Sequence, residues 1–230
     1  MTTTTARIRV WDLPTRLFHW TLAFCIVGSF VTVKVGGLWM DWHVRLGLVA
    51  LWLIAFRLAW GLVGSRYARF SQFVRGPGAV WNYLRGKASH TAGHNPLGAY
   101  SVVVLLLSVG FQAVSGLFAN DDVLTAGPLA SLNEAWSSTL TGLHKLNEWF
   151  LIGLVALHIV AIIWYRLKGR KNLVGPMIHG DADVPMAPGK PIPAAQDSWQ
   201  VRLKALTLAA LIAAGIWWLT TLAPAADSFY

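Results

Sequence analysis

Cysteine is almost absent from this 230-residue chain: Cys25 is the only one. One thiol excludes an internal disulfide, a cysteine-ligated cluster and a C-x-x-C-H attachment motif. In the middle of an apolar run it reads as a small buried residue. Charge is scarce as well. Asp, Glu, Lys and Arg make up 13% of the residues, where a soluble domain carries roughly a quarter. No soluble domain is expected anywhere along the chain. A cleavable leader is not expected either, because Thr2, Thr3, Thr4 and Thr5 form a polar lead and the first apolar run is too long for a signal-peptide core.

What fills the space instead is apolar. Hydrophobic residues account for 55% of the chain, with 13 Trp among them, and they gather into five stretches at 15–37, 43–63, 97–118, 143–165 and 203–222. Each is near the ~20 residues that span a bilayer core as a helix. The expectation is an all-α integral membrane helical bundle.

The formal charge of +9 raises the question of a nucleic-acid partner, and its distribution answers it. Arg7, Arg9 and Arg16 precede the first stretch. Arg66, Arg69, Arg75, Arg85 and Lys87 lie between the second and third. Arg166, Lys168, Arg170, Lys171, Lys190, Arg202 and Lys204 lie around the gap between the fourth and fifth. The alternate connections hold little more than Lys34, Arg45 and Lys145, and they carry Asp121, Asp122, Glu134 and Asp227. Lys and Arg are retained on the cytoplasmic side during insertion. The N-terminus is therefore expected in the cytoplasm and the C-terminus outside, with the basic surplus recording topology and contact with anionic membrane lipid. Nucleic acid is not an expected partner.

Local signals refine the layout. In "VWDLPTRLFHW", Asp12 can accept from the free amides of a helix start and Pro14 suits its first turn. "MDWHVRLG" repeats the logic, with Asp41 as the expected cap of the second helix. "PGAVWNYLRG" reads as a short interfacial helix with Trp81 and Tyr83 at headgroup level. A second short amphipathic helix is expected around "LASLNEAWSS". The segment 172–200, with Pro176, Pro185, Pro188, Pro191 and Pro193, reads as an irregular tether. Ser101, Ser108 and Ser115 recur every seven residues in the third stretch, a small-residue stripe suited to close helix packing in lipid. Internal repeats and helices broken at mid-membrane, the marks of a transporter, are not found.

The histidines carry the chemistry. His90, His94 and His179 fall in cytoplasmic connections, where solvated or headgroup roles are expected. His19, His43, His144 and His158 fall in the apolar stretches, where ionisable groups are costly and mark function. Depth sorts them. The first stretch enters from the cytoplasm, so His19 is near that side; the second returns from outside, so His43 is near the other. His144 opens the fourth stretch outside, and His158, fourteen residues on, lies about 21 Å deeper at about 1.5 Å per residue. Fourteen residues at ~100° each fall about 40° short of four turns, so both share one helix face. The result is two depth-matched pairs, His43 with His144 and His19 with His158. Zinc would gather its ligands in one place, and a proton relay would favour carboxylates at closer spacing. Two bis-histidine b-type haems, stacked across the membrane, suit the pattern, because a planar macrocycle between helices takes a neutral imidazole from each side.

Arg57 lies fourteen residues after His43, on the same face and at the depth of the inner pair. Two readings stand beside each other: a snorkelling cation at the boundary, or a partner for a haem propionate or quinone oxygen. Arg45 and Lys145, next to His43 and His144, are candidates for the outer propionates. Glu148, one turn from His144, reads either as a solvated interfacial group or as a proton carrier.

"VWDLPTRLFHW", "AFRLAWGLVGSRYARF", "GHNPLGAYS" and "LHKLNEWFLIGLVALHIVAIIWY" together resemble the bacterial cytochrome b-561 family. The similar branch includes the b-type cytochrome subunits of nickel–iron hydrogenases. The resemblance covers about residues 7–180. It implies a four-helix di-haem core with His19, His43, His144 and His158 as axial ligands, so that 1–180 form the cytochrome domain. Residues 181–230 add the tether and a fifth, C-terminal transmembrane helix without a ligand. It further implies residence in the bacterial cytoplasmic membrane and electron transfer between the quinone pool, ubiquinone included, and a periplasmic redox protein such as a c-type cytochrome or dehydrogenase. A homo-oligomer is compatible with this reading. The alternatives are a quinone-linked oxidoreductase that oxidises superoxide, and a haem-containing anchor subunit of a larger redox complex.

Overall fold

The computed structural model describes residues 5–87, 92–123, 125–168, 171–185 and 192–222. Thr2, Thr3, Thr4, His90, Arg170, Pro188, Lys190, Pro191 and Asp227, all named above, lie outside them. A short strand, β1 (Thr5–Arg9), leads into α1 (Leu13–Val35). A 3-10 turn at Gly37–Trp39 precedes α2 (Met40–Val63). Two short helices follow, α3 (Phe70–Phe73) and α4 (Pro77–Leu84). Then come α5 (Pro96–Gly116), α6 (Glu134–Leu167), the short α7 (Val174–His179), a second strand β2 (Asp181–Pro185) and α8 (Trp199–Thr220). Among the described residues five helices, α1, α2 with its preceding turn, α5, α6 and α8, are long and apolar enough to cross a membrane. The protein is thus mostly helical and multi-pass, and many large apolar side chains, Phe24, Leu62, Trp149 and Trp217 among them, face outward as lipid contact requires.

Several boundaries have identifiable causes. Asp12 caps α1 as its sequence position predicts, its Oδ1 accepting the Thr15 amide at 2.7 Å. Asp41 does not cap α2. The helix is entered through the 3-10 turn that Gly36 precedes and Gly37 begins, both at positive φ, and Asp41 lies one residue inside, where its charge still complements the helix dipole. The segment "LASLNEAWSS" is not a separate helix. It contributes a 3-10 turn at Ala130–Leu132 and then the start of α6, where the Asn133 Oδ1 accepts the Trp136 amide at 3.0 Å. With that cap in place and no proline before Leu167, α6 runs nine residues further toward the N-terminus than the apolar pattern alone marks.

Within the tether, residues 174–185 are regular rather than irregular. Gly180, at φ 94°, ends α7 in the left-handed conformation that glycine adopts freely. β2 then pairs antiparallel with β1, in a register running from Thr5 opposite Pro185 to Arg9 opposite Asp181. Val184 joins Val10 and Trp11 in a small buried cluster, with Ile8, Tyr67 and Met177 against it. Asp197 finishes the attachment. Its carboxylate accepts from Arg9 Nη1 at 3.0 Å, the Leu13 amide at 3.1 Å and Arg202 Nε at 3.1 Å.

The chain packs as two compact units, each assembled from three stretches. The first holds Met1–His19, Arg57–Leu105 and Val155–Leu206. Inside it, Trp60 is fully buried and donates from Nε1 to Asp12 Oδ2 at 3.0 Å, which ties the end of α2 to the start of α1. Tyr165 ties the end of α6 to α4 and to the entrance of α5, meeting Tyr83 at 2.7 Å and accepting from Asn95 Nδ2 at 3.0 Å. The second unit holds Trp20–Phe56, Leu106–Leu154 and Thr207–Tyr230. There the Trp52 indole donates to the Ala209 carbonyl at 2.8 Å, fixing α8 to α2. Ser108 and Asn147 exchange hydrogen bonds between α5 and α6.

Candidate functional site

The four intramembrane histidines come together as two pairs, each within one unit. In the first unit His19 of α1 faces His158 of α6, with ring centroids 6.5 Å apart and planes at 52°. In the second, His43 of α2 faces His144 of α6 at 6.1 Å and 83°. Both distances lie within the range at which tilted and edge-to-face rings meet. They have a simple chemical meaning: metal–imidazole bonds are about 2.0–2.1 Å, so with each ring centre roughly 1.15 Å behind its nitrogen, two axial imidazoles on one metal stand about 6.4 Å apart. Rings that share such an axis are free to take any mutual twist. Among the described residues no group of three or more His, Cys, Asp and Glu is placed to hold a metal ion; two facing imidazoles are a donor set that a haem iron accepts.

The ring nitrogens of the second pair have settled roles. His43 Nδ1 lies 2.9 Å from the Ser29 carbonyl, and His144 Nδ1 lies 2.9 Å from the Gln112 carbonyl. A carbonyl only accepts, so both Nδ1 atoms carry the proton and both Nε2 lone pairs are left for a metal. Ser115 Oγ approaches the same His144 Nδ1 at 3.1 Å. Gln112 is held in turn by Asn147, which donates from Nδ2 to Gln112 Oε1 at 2.7 Å.

Around the first pair, Arg57 is 2% exposed. Its guanidinium lies over the Phe70 ring at 4.8 Å and the Phe73 ring at 6.0 Å. It is packed inside the protein and not presented at its surface. Phe70 can lie there because Gly61, on the facing turn of α2, has no Cβ to collide with its ring. Asp12 supplies compensating charge, but no salt bridge joins the two, and Arg57 Nη1 is buried without a hydrogen-bond acceptor. A buried donor without an acceptor is expensive, and a carboxylate of a bound group would relieve it.

His94 departs from the solvated role expected of a loop histidine. Its ring sits 4.7 Å from Trp11 and 4.7 Å from Phe73. Burial, and then the charges of Arg57, His158 and His19, push its pKa down to about 3. It lies in the sequence at the turn into α5, and the aromatic residues that enclose it come from distant segments. His179, by contrast, is exposed at the end of α7.

Other expectations resolve as follows. Arg45 is exposed and rests over Trp42 at 5.3 Å. Lys145 is exposed. Glu148 pairs with Lys34 at 3.0 Å rather than with a histidine. Ser108 and Ser115 belong to the hydrogen-bond network on α6, beyond the small-residue packing that their spacing announces. The polar residues that pattern reasoning passed over are Gln112, an amide in the apolar second half of α5, and Asn147, which stands between Lys145 and Glu148 in α6.

Comparison with known proteins adds a family-scale match. A family model described as prokaryotic cytochrome b561 matches residues 10–180. A probable Ni/Fe-hydrogenase B-type cytochrome subunit from Cupriavidus necator is 25% identical over 210 residues, covering 74% of this chain and 85% of its own. Proteins of the same description from Azotobacter chroococcum and Rhodobacter capsulatus are 24% and 22% identical. They cover 75% of this chain in each case, and 87% and 80% of their own. No solved structure is a significant match.

Proposed function

The chain belongs to the prokaryotic cytochrome b561 family, whose business is haem-based electron transfer in bacterial membranes, and from that premise we propose that it holds two b-type haems. Each haem lies between two histidines: His43 with His144 on the periplasmic side, and His19 with His158 on the cytoplasmic side. Single electrons pass between a periplasmic redox protein and the quinone pool, with ubiquinone as one such quinone. The observation that carries this reading is the pair of ring separations, 6.1 and 6.5 Å, each close to the roughly 6.4 Å that two axial imidazoles require.

When bound, haem b supplies reversible one-electron exchange at its iron. The protein's own residues do the rest. His43 and His144 present Nε2 because their Nδ1 protons are committed to helix carbonyls. Arg57, with its buried Nη1 lacking an acceptor, would hold a propionate of the His19–His158 haem, as guanidinium pairs well with carboxylate, and Arg45 would do the same from the more exposed site beside His43. Residues 1–180 form the cytochrome domain, and 181–230 carry the attached fifth helix. The excess of Lys and Arg in alternate connections supports a cytoplasmic N-terminus and a periplasmic C-terminus.

A second reading, an anchor subunit within a larger redox complex, is favoured by the relatives, which are described as hydrogenase subunits. One experiment serves both. Purified protein is assayed for haem per chain, titrated potentiometrically, and mixed after reduction with a ubiquinone analogue. Two haem equivalents with distinct potentials and reoxidation by the quinone are expected. His158→Ala should retain one haem and stop reoxidation on the quinone side. Two haems surviving in that variant would sink the ligand assignment, and two haems that no quinone reoxidises would leave only the anchor reading.

A further inference from the structure

Each histidine of the His43–His144 pair bonds a helix carbonyl that a neighbouring hydroxyl also approaches. Ser115 donates from Oγ to the carbonyl three residues earlier, Gln112, at 3.1 Å. Thr32 donates mainly to the Gly28 carbonyl at 2.8 Å, with the Ser29 carbonyl a longer contact at 3.1 Å. The Gln112 and Ser29 carbonyls are the ones that His144 and His43 bond. Hydroxyl back-bonding of this kind loosens the local helical turn and tips a carbonyl off the axis, which turns an otherwise saturated acceptor toward a neighbouring helix.

On the His144 side the seat is more complete. Ser115 is 1% exposed, and its Oγ lies 3.1 Å from His144 Nδ1. With its own proton given to Gln112, that oxygen accepts from the imidazole N–H. The next residue is Gly116. A Cβ built there would stand 3.0 Å from His144 Cε1 and 3.4 Å from Nδ1, so the imidazole edge fills the space that glycine leaves. Two acceptors at Nδ1 and the space left by glycine along the adjoining Cε1–Nδ1 edge together seat that edge of the ring against α5.

We infer that the Gln112–Ser115–Gly116 step of α5 positions the His144 ring and sets its strength as an axial ligand, so that it tunes the potential of one haem and not the other. This rests on reading His43 and His144 as an axial pair. The direction follows from the bonding. Acceptors on Nδ1–H make the imidazole a more basic ligand, which favours ferric iron. Losing the Ser115 acceptor weakens that preference and raises the potential.

The test is a potentiometric titration with low-temperature EPR of the ferric protein, for wild type, Ser115→Ala, Ser115→Thr, Gly116→Ala and Gly153→Ala. Gly153 lies on α6 with nothing within 4 Å of its built Cβ, so it controls for a methyl added elsewhere in the same helix pair. Ser115→Ala should shift the ferric/ferrous ratio of one haem three- to tenfold, about 30–60 mV upward at 59 mV per tenfold for one electron. Ser115→Thr, which keeps the hydroxyl, should restore it. Gly116→Ala should displace the low-spin g-values of that same haem, and Gly153→Ala should move neither. Unchanged potentials and g-values in Ser115→Ala and Gly116→Ala, with both haems bound, would overturn the inference. So would equal shifts at both haems, which mark general loosening. Absence of haem from the wild-type protein is a different result and would overturn the underlying assignment instead.

Discussion

His43 and His144 present their rings to each other across a 6.1 Å centroid separation, at 83°, with both Nδ1 protons already committed to backbone carbonyls. If one iron occupies that gap, the two histidines act as one unit, and their removal cannot be additive. His43→Ala and His144→Ala should each lose one of two haems, and the double variant should lose no more. Combining His43→Ala with His19→Ala should remove both. Haem per chain, measured after extraction, decides it; a double variant His43→Ala/His144→Ala with no haem at all would contradict the pairing.

His94 gives a pH signature. Its pKa is about 3 in the folded protein because burial, then Arg57, His158 and His19, oppose its charge, against about 6.5 in an unfolded chain. The unfolded state therefore binds a proton that the folded state refuses, and stability falls as pH drops from about 6.5 toward 3. His94→Gln should flatten this part of the profile while leaving the plateau above pH 7 nearly unchanged. Thermal melts of both proteins in the same detergent across pH 4–8 report it, and identical slopes would refute it.

Asp197 behaves in the opposite sense. Burial alone would raise its pKa, but the Arg202 hydrogen bond, the Leu13 amide and the charges of Arg202 and Arg9 outweigh that and hold it below its ordinary value. A depressed carboxylate contributes stability above the unfolded value of about 3.9, and that contribution is lost as pH falls through the folded pKa. At pH 7 the full effect is present. Asp197→Asn should cost about 1–3 kcal/mol, since a charged acceptor of several donors is lost and Arg202 is half exposed. Limited proteolysis between β2 and α8 should become faster than in wild type at pH 7. An unchanged cleavage rate would mean the carboxylate does not secure the tether.

The helices and the histidine pairs were legible in the sequence for physical reasons. A bilayer span demands about 20 apolar residues, and fourteen residues on one helix fix a depth difference and a shared face. What escaped depended on contacts between segments distant in sequence. Trp60 and Asp12 are 48 residues apart and share a buried hydrogen bond. Asp197 bonds residues 184 and 188 positions earlier. β2 looked irregular because five residues among prolines carry no pattern strong enough to announce a strand without β1 beside it. Ser115 looked like packing because a small residue and a hydrogen-bonding residue are the same letter until the neighbouring ring is in place.

Arg57 offers a prediction whose sign depends on whether cofactor is bound. In the protein alone its guanidinium is buried against Phe70 and Phe73, with Nη1 lacking an acceptor. A buried, incompletely compensated cation is a liability, so Arg57→Met should leave haem-free protein about as stable as wild type, or more stable. With haem bound, the same arginine gains a propionate. Arg57→Met should then loosen one haem about 10–100-fold, the range seen when groups that orient metal ligands are removed. Arg57→Lys should restore little of this, since a point charge cannot reproduce the planar donor fork. Melting temperatures of both variants, expressed with and without haem synthesis and followed by haem-release rates, separate the two effects. A variant that destabilises the haem-free form as much as the loaded form would show that Arg57 serves the fold and not the cofactor.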